Sequence, residues 1–276
     1  MQVISLENLT LNERKLHARE GRFRSYMFAE GTEGAPGNFS LKLSHLSSDF
    51  KSPRHRHNFD QIRYLIDGHY DYGEDGELSR GCIGYFPEGT AYGPQTITGD
   101  SRHVILQFGG ASGSGFISES QYARAMEELG AEGSFEGGFL VKWEDGVKIR
   151  KDAYEAIWER LNERPLQYPP QRYGRPIFMN PENFDWTPDA SQAGVENKWL
   201  GSFTEAHTEI SFHRIASGKK MRLPGRSLYF VVAGSAHAED KIAREHTVLA
   251  MEEPAEGEIE AIDTLVLLRF GLPNIG

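Results

Sequence analysis

The segment SPRHRHNFDQIRYLIDG, residues 52–68, carries four polar side chains at the spacing of a β-strand. His55 and His57 are separated by one residue, and Gln61 and Arg63 follow at further odd positions. Because side chains alternate between the two faces of an extended chain, all four share one face unless a bulge intervenes. Imidazole nitrogens and amide oxygens both bind metal ions, so this face is either a metal and ligand site or a solvated sheet face.

A second stretch, GCIGYFPEGTAY, predicts a short apolar strand that stops at a Pro-x-Gly turn. Together the two stretches resemble the paired motifs of the cupin family. The first motif of that family has His, His, Glu and Gly at the positions held here by His55, His57, Gln61 and Gly68. The second has Gly, Pro, Gly and His at the positions held here by Gly81, Pro87, Gly89 and Tyr92.

The chain departs from the family pattern at three positions: Asp49 replaces a Gly, Gln61 replaces the metal-binding Glu, and Tyr92 replaces the last His. The resemblance implies one divalent metal ion (Fe, Mn, Ni or Zn) held by His55, His57 and Gln61, or else a site that no longer binds metal. Gln61 is either a ligand or a hydrogen-bonding pocket residue. Tyr92 adds a phenolate, hydrogen-bonds a bound water, or fills space. Neutral ligands leave the ion's charge uncompensated, which favours an anionic substrate.

Three further residues are candidates for substrate binding. Arg63 either orients a substrate carboxylate or forms a salt bridge with Asp60 or another carboxylate. His103 and Gln107 share a face of the predicted strand HVILQF, where they either line the same pocket or face solvent at a sheet edge. No residue is assigned a catalytic role from the sequence.

Short alternating apolar segments separated by turn-rich pieces predict an all-β sandwich or barrel. The predicted strands cover residues 39–46, 62–66, 82–86, 103–108, 199–203, 209–215, 227–233 and 264–270. The middle of the chain differs, because SESQYARAMEELG begins like a capping box and DAYEAIWERLNER ends at a proline. These patterns predict helices over 118–130 and 152–164, followed by a Pro-rich crossing segment to residue 190.

An internal repeat relates the two halves: Leu46 matches Ile215, Tyr64 matches Phe230, and Gly68 matches Gly234. With the cupin resemblance, the repeat implies a bicupin, in which two jelly-roll barrels share one chain. We expect the first barrel over 1–115, a helical and Pro-rich connecting segment over 116–190, and a second barrel over 191–276. The second barrel has Met221, Leu223 and Ser227 in place of the ligand set, so we expect it to bind no metal.

The composition of the chain limits which partners and which cellular location we expect. A net charge of -10 argues against nucleic acid, no segment is apolar enough to suggest a membrane span, and one cysteine without an export signal favours the cytoplasm. We expect a small anionic substrate and allow for a homodimer. The leading hypothesis is a metal-dependent bicupin enzyme acting on a carboxylate or phenolate as a dioxygenase or an isomerase or lyase. The rival is a non-catalytic cupin that binds a small molecule.

Overall fold

The computed structural model describes residues 1–14, 21–113, 115–251 and 256–273. It contains two compact units, one of residues 11–178 and the other of residues 1–10 together with 179–276. The helical segment expected between the barrels therefore falls largely in the first unit, whereas the first ten residues fall in the second. Neither α-helix in the described part of the chain has the length and hydrophobicity needed to span a bilayer.

The strands and helices of the first two thirds of the chain are β1 Gln2–Ser5, β2 Asn12–Arg14, β3 Phe23–Glu30, β4 Phe39–Leu46, β5 Lys51–Ser52, β6 Phe59–Asp71, β7 Glu77–Ser79, β8 Ile83–Phe86, β9 Gln95–Gly109, α1 Glu119–Gly130, β10 Ser134–Glu136, β11 Phe139–Glu144, β12 Val147–Asp152, α2 Ala153–Asn162 and β13 Ile177–Met179. The remaining strands are β14 Thr187–Pro188, β15 Val195–Phe203, β16 Thr208–Ile215, β17 Lys220–Leu223, β18 Ser227–Ala233, β19 Ala236–Ala238, β20 Lys241–Ala243, β21 Thr247–Met251, β22 Gly257–Ala261 and β23 Leu265–Gly271.

The two large sheets have corresponding strand orders. The first is ordered β13-β8-β6-β9-β4-β3-β2, and the second is ordered β1-β21-β18-β23-β16-β15-β14. In the second unit, β17, β22, β19 and β20 form a further sheet. The predicted duplication into two β-barrels is thereby confirmed. The segment Gln2–Ser5 belongs to the second sheet because it pairs antiparallel with β21, which explains why the unit boundary differs from the expected one.

Both predicted helices are present, and Ser118 makes the predicted capping box with Gln121. Asp152 caps α2 by accepting a hydrogen bond from the backbone of Glu155. The two helices share an apolar cluster that includes Leu129, Ile157 and Trp158. Between them, β10, β11 and β12 form a three-stranded sheet that the sequence analysis did not predict.

The second barrel is filled by apolar side chains where the first has its candidate ligands. Met221 and Leu223 are buried members of its main core cluster, and Ser227 is fully buried nearby. In the first barrel, by contrast, the strand FSLKLSHL buries both of its faces. Leu41 and Leu43 lie on one face, and Lys42 and Ser44 lie on the other. The polar face of this strand therefore needs partners inside the protein.

Candidate functional site

The first unit contains a cavity of about 830 Å3, which is within the range of small-molecule sites (roughly 300–1,000 Å3). Inward-facing residues of β4, β6 and β9 form its floor, and residues of α1 and the start of α2 line it from the connecting segment. On α1 the lining residues are Glu119, Tyr122, Ala123 and Met126, the spacing of one helix face. All seven site residues predicted from the sequence lie in or beside this cavity.

Strand register explains why the floor is polar. On β6 and β9, Gln61 lies opposite Gln107, and Arg63 lies opposite Ile105. Ile105 is in turn opposite Lys42 on β4. Directly paired residues of neighbouring strands point to the same face, so these side chains share the inner surface. The structure thus confirms that Gln61 and Arg63 share a face, and the solvated-face alternative is wrong for both of them because each is buried.

The hydroxyl of Tyr92 lies at the centre of the candidate ligand set. It is 3.1 Å from Nε2 of His57, and it accepts hydrogen bonds from the Gln61 amide at 3.2 Å and from Nη2 of Arg63 at 3.1 Å. Nη2 of Arg63 also donates to the amide oxygen of Gln61 at 3.1 Å. Three of the four predicted metal ligands are therefore brought together around one oxygen atom.

His55 and His57 precede β6 rather than lying within it. The backbone of His55 forms an isolated antiparallel bridge with Tyr92, with N to O distances of 3.1 and 2.9 Å. The two imidazole rings are 4.9 Å apart between centroids, and Nδ1 of His55 lies 2.7 Å from the carbonyl oxygen of Pro53. Since a histidine that binds a metal through one nitrogen usually has the other nitrogen held by a hydrogen bond, this contact suits His55 to bind through Nε2.

The geometry of these residues fits a divalent metal ion, but their charge fits it only in part. Two ligands bonded at about 2.1 Å to one ion are separated by about 3.0–3.4 Å, which matches the spacing of Tyr92 to His57 and to Gln61. An amide can also turn its oxygen towards an ion by rotation about its last torsion. None of these ligands is a carboxylate, and no group of three or more His, Cys, Asp or Glu suited to a metal occurs in the described ranges.

The guanidinium of Arg63 contacts two of these ligands, and it has no carboxylate partner among the residues that the structure describes. It is 5% exposed and donates to four neutral oxygens, those of Gln61, Tyr72, Tyr92 and Gln95. Its Nε atom has no acceptor within the described part of the chain. A buried guanidinium without an anion is costly, so this position favours a bound anion.

The proposed salt bridge between Arg63 and Asp60 is wrong. Asp60 is next to Gln61 in the strand and therefore faces the other side of β6 from Gln61 and Arg63. It accepts hydrogen bonds from the backbone of Glu88 at 2.7 Å and from the hydroxyl of Tyr85 at 3.3 Å. Burial raises the pKa of Asp60 to about 7, and the nearby charge of Glu88 adds to the effect.

His103 and Gln107 lie in the cavity, so the alternative of a solvent-facing edge is wrong. Nδ1 of His103 is 2.5 Å from the hydroxyl of Tyr70, and the Gln107 amide donates to Gln61 at 3.4 Å. Burial, followed by the positive charges of Arg63 and two other basic residues, holds the pKa of His103 well below its usual range. His103 is therefore neutral at pH 7.

Lys42 and Glu119 were not predicted from the sequence. Lys42 is buried on the cavity floor, and its Nζ donates to Glu119 of α1 at 2.6 Å. The lysine in FSLKLSHL was a possible signal, because a charged side chain stands in a strand that is buried on both faces. Glu119 had no sequence signal beyond its place in the first turn of a helix, where acidic residues are common.

No protein-family model and no curated protein matches this sequence. Solved structures do match along nearly all of the chain. A proposed dioxygenase from Nostoc punctiforme has a TM-score of 0.62 at 10% identity, with 98% of this chain and 81% of that chain covered. Oxalate decarboxylase from Bacillus subtilis has a TM-score of 0.54 at 13% identity, with coverage of 99% and 76%. A formate complex of the Lactobacillus farciminis oxalate decarboxylase has a TM-score of 0.54 at 12% identity, with coverage of 98% and 86%. The matched strand orders, the paired motifs and these similarities show that the chain has a bicupin fold, with two cupin-type barrels in one chain.

Proposed function

We propose that the first barrel is a metal-dependent enzyme site for a small organic anion, a carboxylate or a phenolate. The observation that carries the proposal is the position of the buried Arg63. It donates a hydrogen bond to the Tyr92 hydroxyl, which also contacts His57, and it has no carboxylate partner among the described residues. A bound anion would supply the missing charge on the floor of a cavity of suitable volume.

Each polar residue has a role in this proposal. Arg63 binds and orients the anionic group, for which Nε is the N–H that no described residue occupies. His55 and His57 hold one divalent ion, and the Gln61 amide completes the set. When bound, the ion supplies Lewis-acid or oxygen-activating chemistry, in keeping with a dioxygenase or with an isomerase or lyase. Gln107 now donates a hydrogen bond to the Gln61 amide oxygen, so the rotation that turns this oxygen towards the ion exchanges that hydrogen bond.

The similarities give limited support to this proposal. The related folds include a proposed dioxygenase and two oxalate decarboxylases, one of which has been described with Mn(II) centres. At 10–13% identity such likeness concerns the fold, so the proposed reaction depends on the side chains of the site.

Calorimetric titration with matched carboxylic acids and amides tests the anion site. We expect each acid to bind more tightly than its amide, and Arg63→Leu to weaken acids alone by roughly 1.5–3 kcal/mol, the value of a hydrogen bond to a charged group. Arg80→Leu is the matched control, because Arg80 carries the same charge on a side chain that is 80% exposed. Equal affinity within the pairs, or equal losses for acid and amide in Arg63→Leu, would contradict the proposal.

A non-catalytic binding protein is the second candidate. It is favoured by the hydrogen bonds of the Tyr92 hydroxyl, which is satisfied by His57, Gln61 and Arg63 without an ion. Metal analysis of the purified protein separates the two functions. One tightly held ion per chain supports the enzyme, and anion binding without a metal supports the binding protein.

A further inference from the structure

We infer that the cavity has a second anchoring point for substrate, formed by Lys42, and that its ligand is a dicarboxylate whose two anionic groups are separated by an apolar spacer. This inference rests on the proposed function, in which Arg63 binds the first carboxylate. It adds to the proposed substrate a second carboxylate and a length sufficient to reach from Arg63 to Lys42.

Lys42 and Arg63 lie in one row of the inner sheet face, with Ile105 between them. Ile105 is the direct partner of Lys42 on one side and of Arg63 on the other. Two strand spacings separate the two cationic residues by about 10 Å between Cα atoms. All three side chains line the cavity. A row of cation, apolar side chain and cation matches the order of carboxylate, hydrocarbon and carboxylate in a dicarboxylate.

The environment of Lys42 shows that a carboxylate can be accepted there. Lys42 is 6% exposed, and its ammonium already binds the carboxylate of Glu119, which lines the cavity from α1. An ammonium has three N–H donors. On the same strand, Ser44 is fully buried, lines the cavity and has a hydroxyl without a hydrogen-bond partner among the described residues. The unpartnered hydroxyl of Ser44 and the ammonium of Lys42 can bind one further anionic group.

Glu119 has a definite effect in this arrangement. A substrate carboxylate at Lys42 lies beside the Glu119 carboxylate, whether it shares the ammonium or displaces Glu119 from it. In both cases the two like charges repel each other, which weakens the binding of the second carboxylate. Neutralising Glu119 should therefore tighten dicarboxylate binding, whereas a purely structural ion pair would give weaker binding or none when broken.

The test compares adipate and glutarate with hexanoate and pentanoate, titrated calorimetrically into the full-length protein. We expect each dicarboxylate to bind at least about tenfold more tightly than its monocarboxylate, as one charge-assisted hydrogen bond implies. Lys42→Met should remove that advantage, so that in this variant each dicarboxylate binds no more tightly than its monocarboxylate. Glu119→Gln should increase the advantage severalfold.

The outcomes separate this inference from the proposed function. If Lys42→Met is unstable, the double variant Lys42→Met/Glu119→Gln removes both charges together, and it should also bind both classes equally. A dicarboxylate advantage that survives either Lys42 variant, or that falls in Glu119→Gln, overturns the second anchoring point while the Arg63 site stands. If none of the four acids binds, both the second anchoring point and the binding of carboxylates at Arg63 are overturned.

Discussion

His213 allows a quantitative test of how the interior of the second barrel treats charge. Its side chain is half-buried, and both ring nitrogens contact polar side chains. Nδ1 lies 2.6 Å from the side-chain oxygen of Asn197, and Nε2 lies 3.1 Å from the hydroxyl of Ser211. Burial, followed by the positive charge of Arg269, lowers the pKa of His213 from 6.5 to about 4, against an opposite effect of Asp189. The folded protein therefore favours the neutral imidazole.

The direction of the pH effect follows from the two protonation states. The unfolded chain binds a proton at His213 near pH 6.5, whereas the folded chain binds it only near pH 4. The stability associated with the neutral ring is present above pH 6.5 and is lost as the pH falls towards 4. At about 1.4 kcal/mol per pH unit, a difference of 2.5 units gives a full loss of about 3.5 kcal/mol, of which about 3 kcal/mol is reached by pH 4.

The measurement is the free energy of unfolding by urea at several pH values between 7.5 and 4, for the wild type and for His213→Asn. Asparagine keeps a donor for the Asn197 oxygen but does not titrate, so its cost in stability should shrink by about 3 kcal/mol across this range. His237→Asn, at an exposed histidine of the same unit, is the matched control. A cost for His213→Asn that is the same at pH 7.5 and pH 4 would refute the reasoning.

Replacing both His55 and His57 by Ala should abolish the uptake of a divalent ion, as measured by metal analysis, and circular dichroism should show that the barrel stays folded. An unchanged metal content would rule out these two residues as ligands. Gly68→Ala and Gly81→Ala should both destabilise, since both glycines have positive φ values (96° and 79°). Gly68→Ala should lower the free energy of unfolding by at least about 1 kcal/mol more than Gly81→Ala, because only the new Cβ at position 68 would clash with Ser101. Equal shifts in melting temperature for the two variants would contradict this prediction. Glu88→Gln should lower the free energy of unfolding by about 1–3 kcal/mol, because Glu88 is fully buried and forms an ion pair with Arg172, whose side chain is 26% exposed. An unchanged urea midpoint would show that this ion pair contributes nothing to stability.

Some elements of the fold could be predicted from the sequence, and others could not. The strand at residues 39–46 and the helix beginning near Ser118 could be predicted because each depends on a local pattern, alternation in one case and a capping box in the other. The three-stranded sheet over residues 134–152 was missed because its strands are short and mostly exposed, so they carry little apolar periodicity. The sheet membership of Gln2–Ser5 was missed because long-range pairing leaves no local signal.

By itself, the sequence determined the duplicated β-fold and the common face of Gln61 and Arg63, since strand alternation and internal repetition are properties of the chain order. Only the tertiary structure decided that the polar face is enclosed. The alternation in FSLKLSHL is the same whether Lys42 faces water or a cavity, and the helix that carries Glu119 lies 77 residues further along the chain. The charge of Arg63 is likewise known from the sequence, but its lack of a carboxylate partner among the described residues depends on which strands surround it. These are long-range relations, and they determine where an anion can bind.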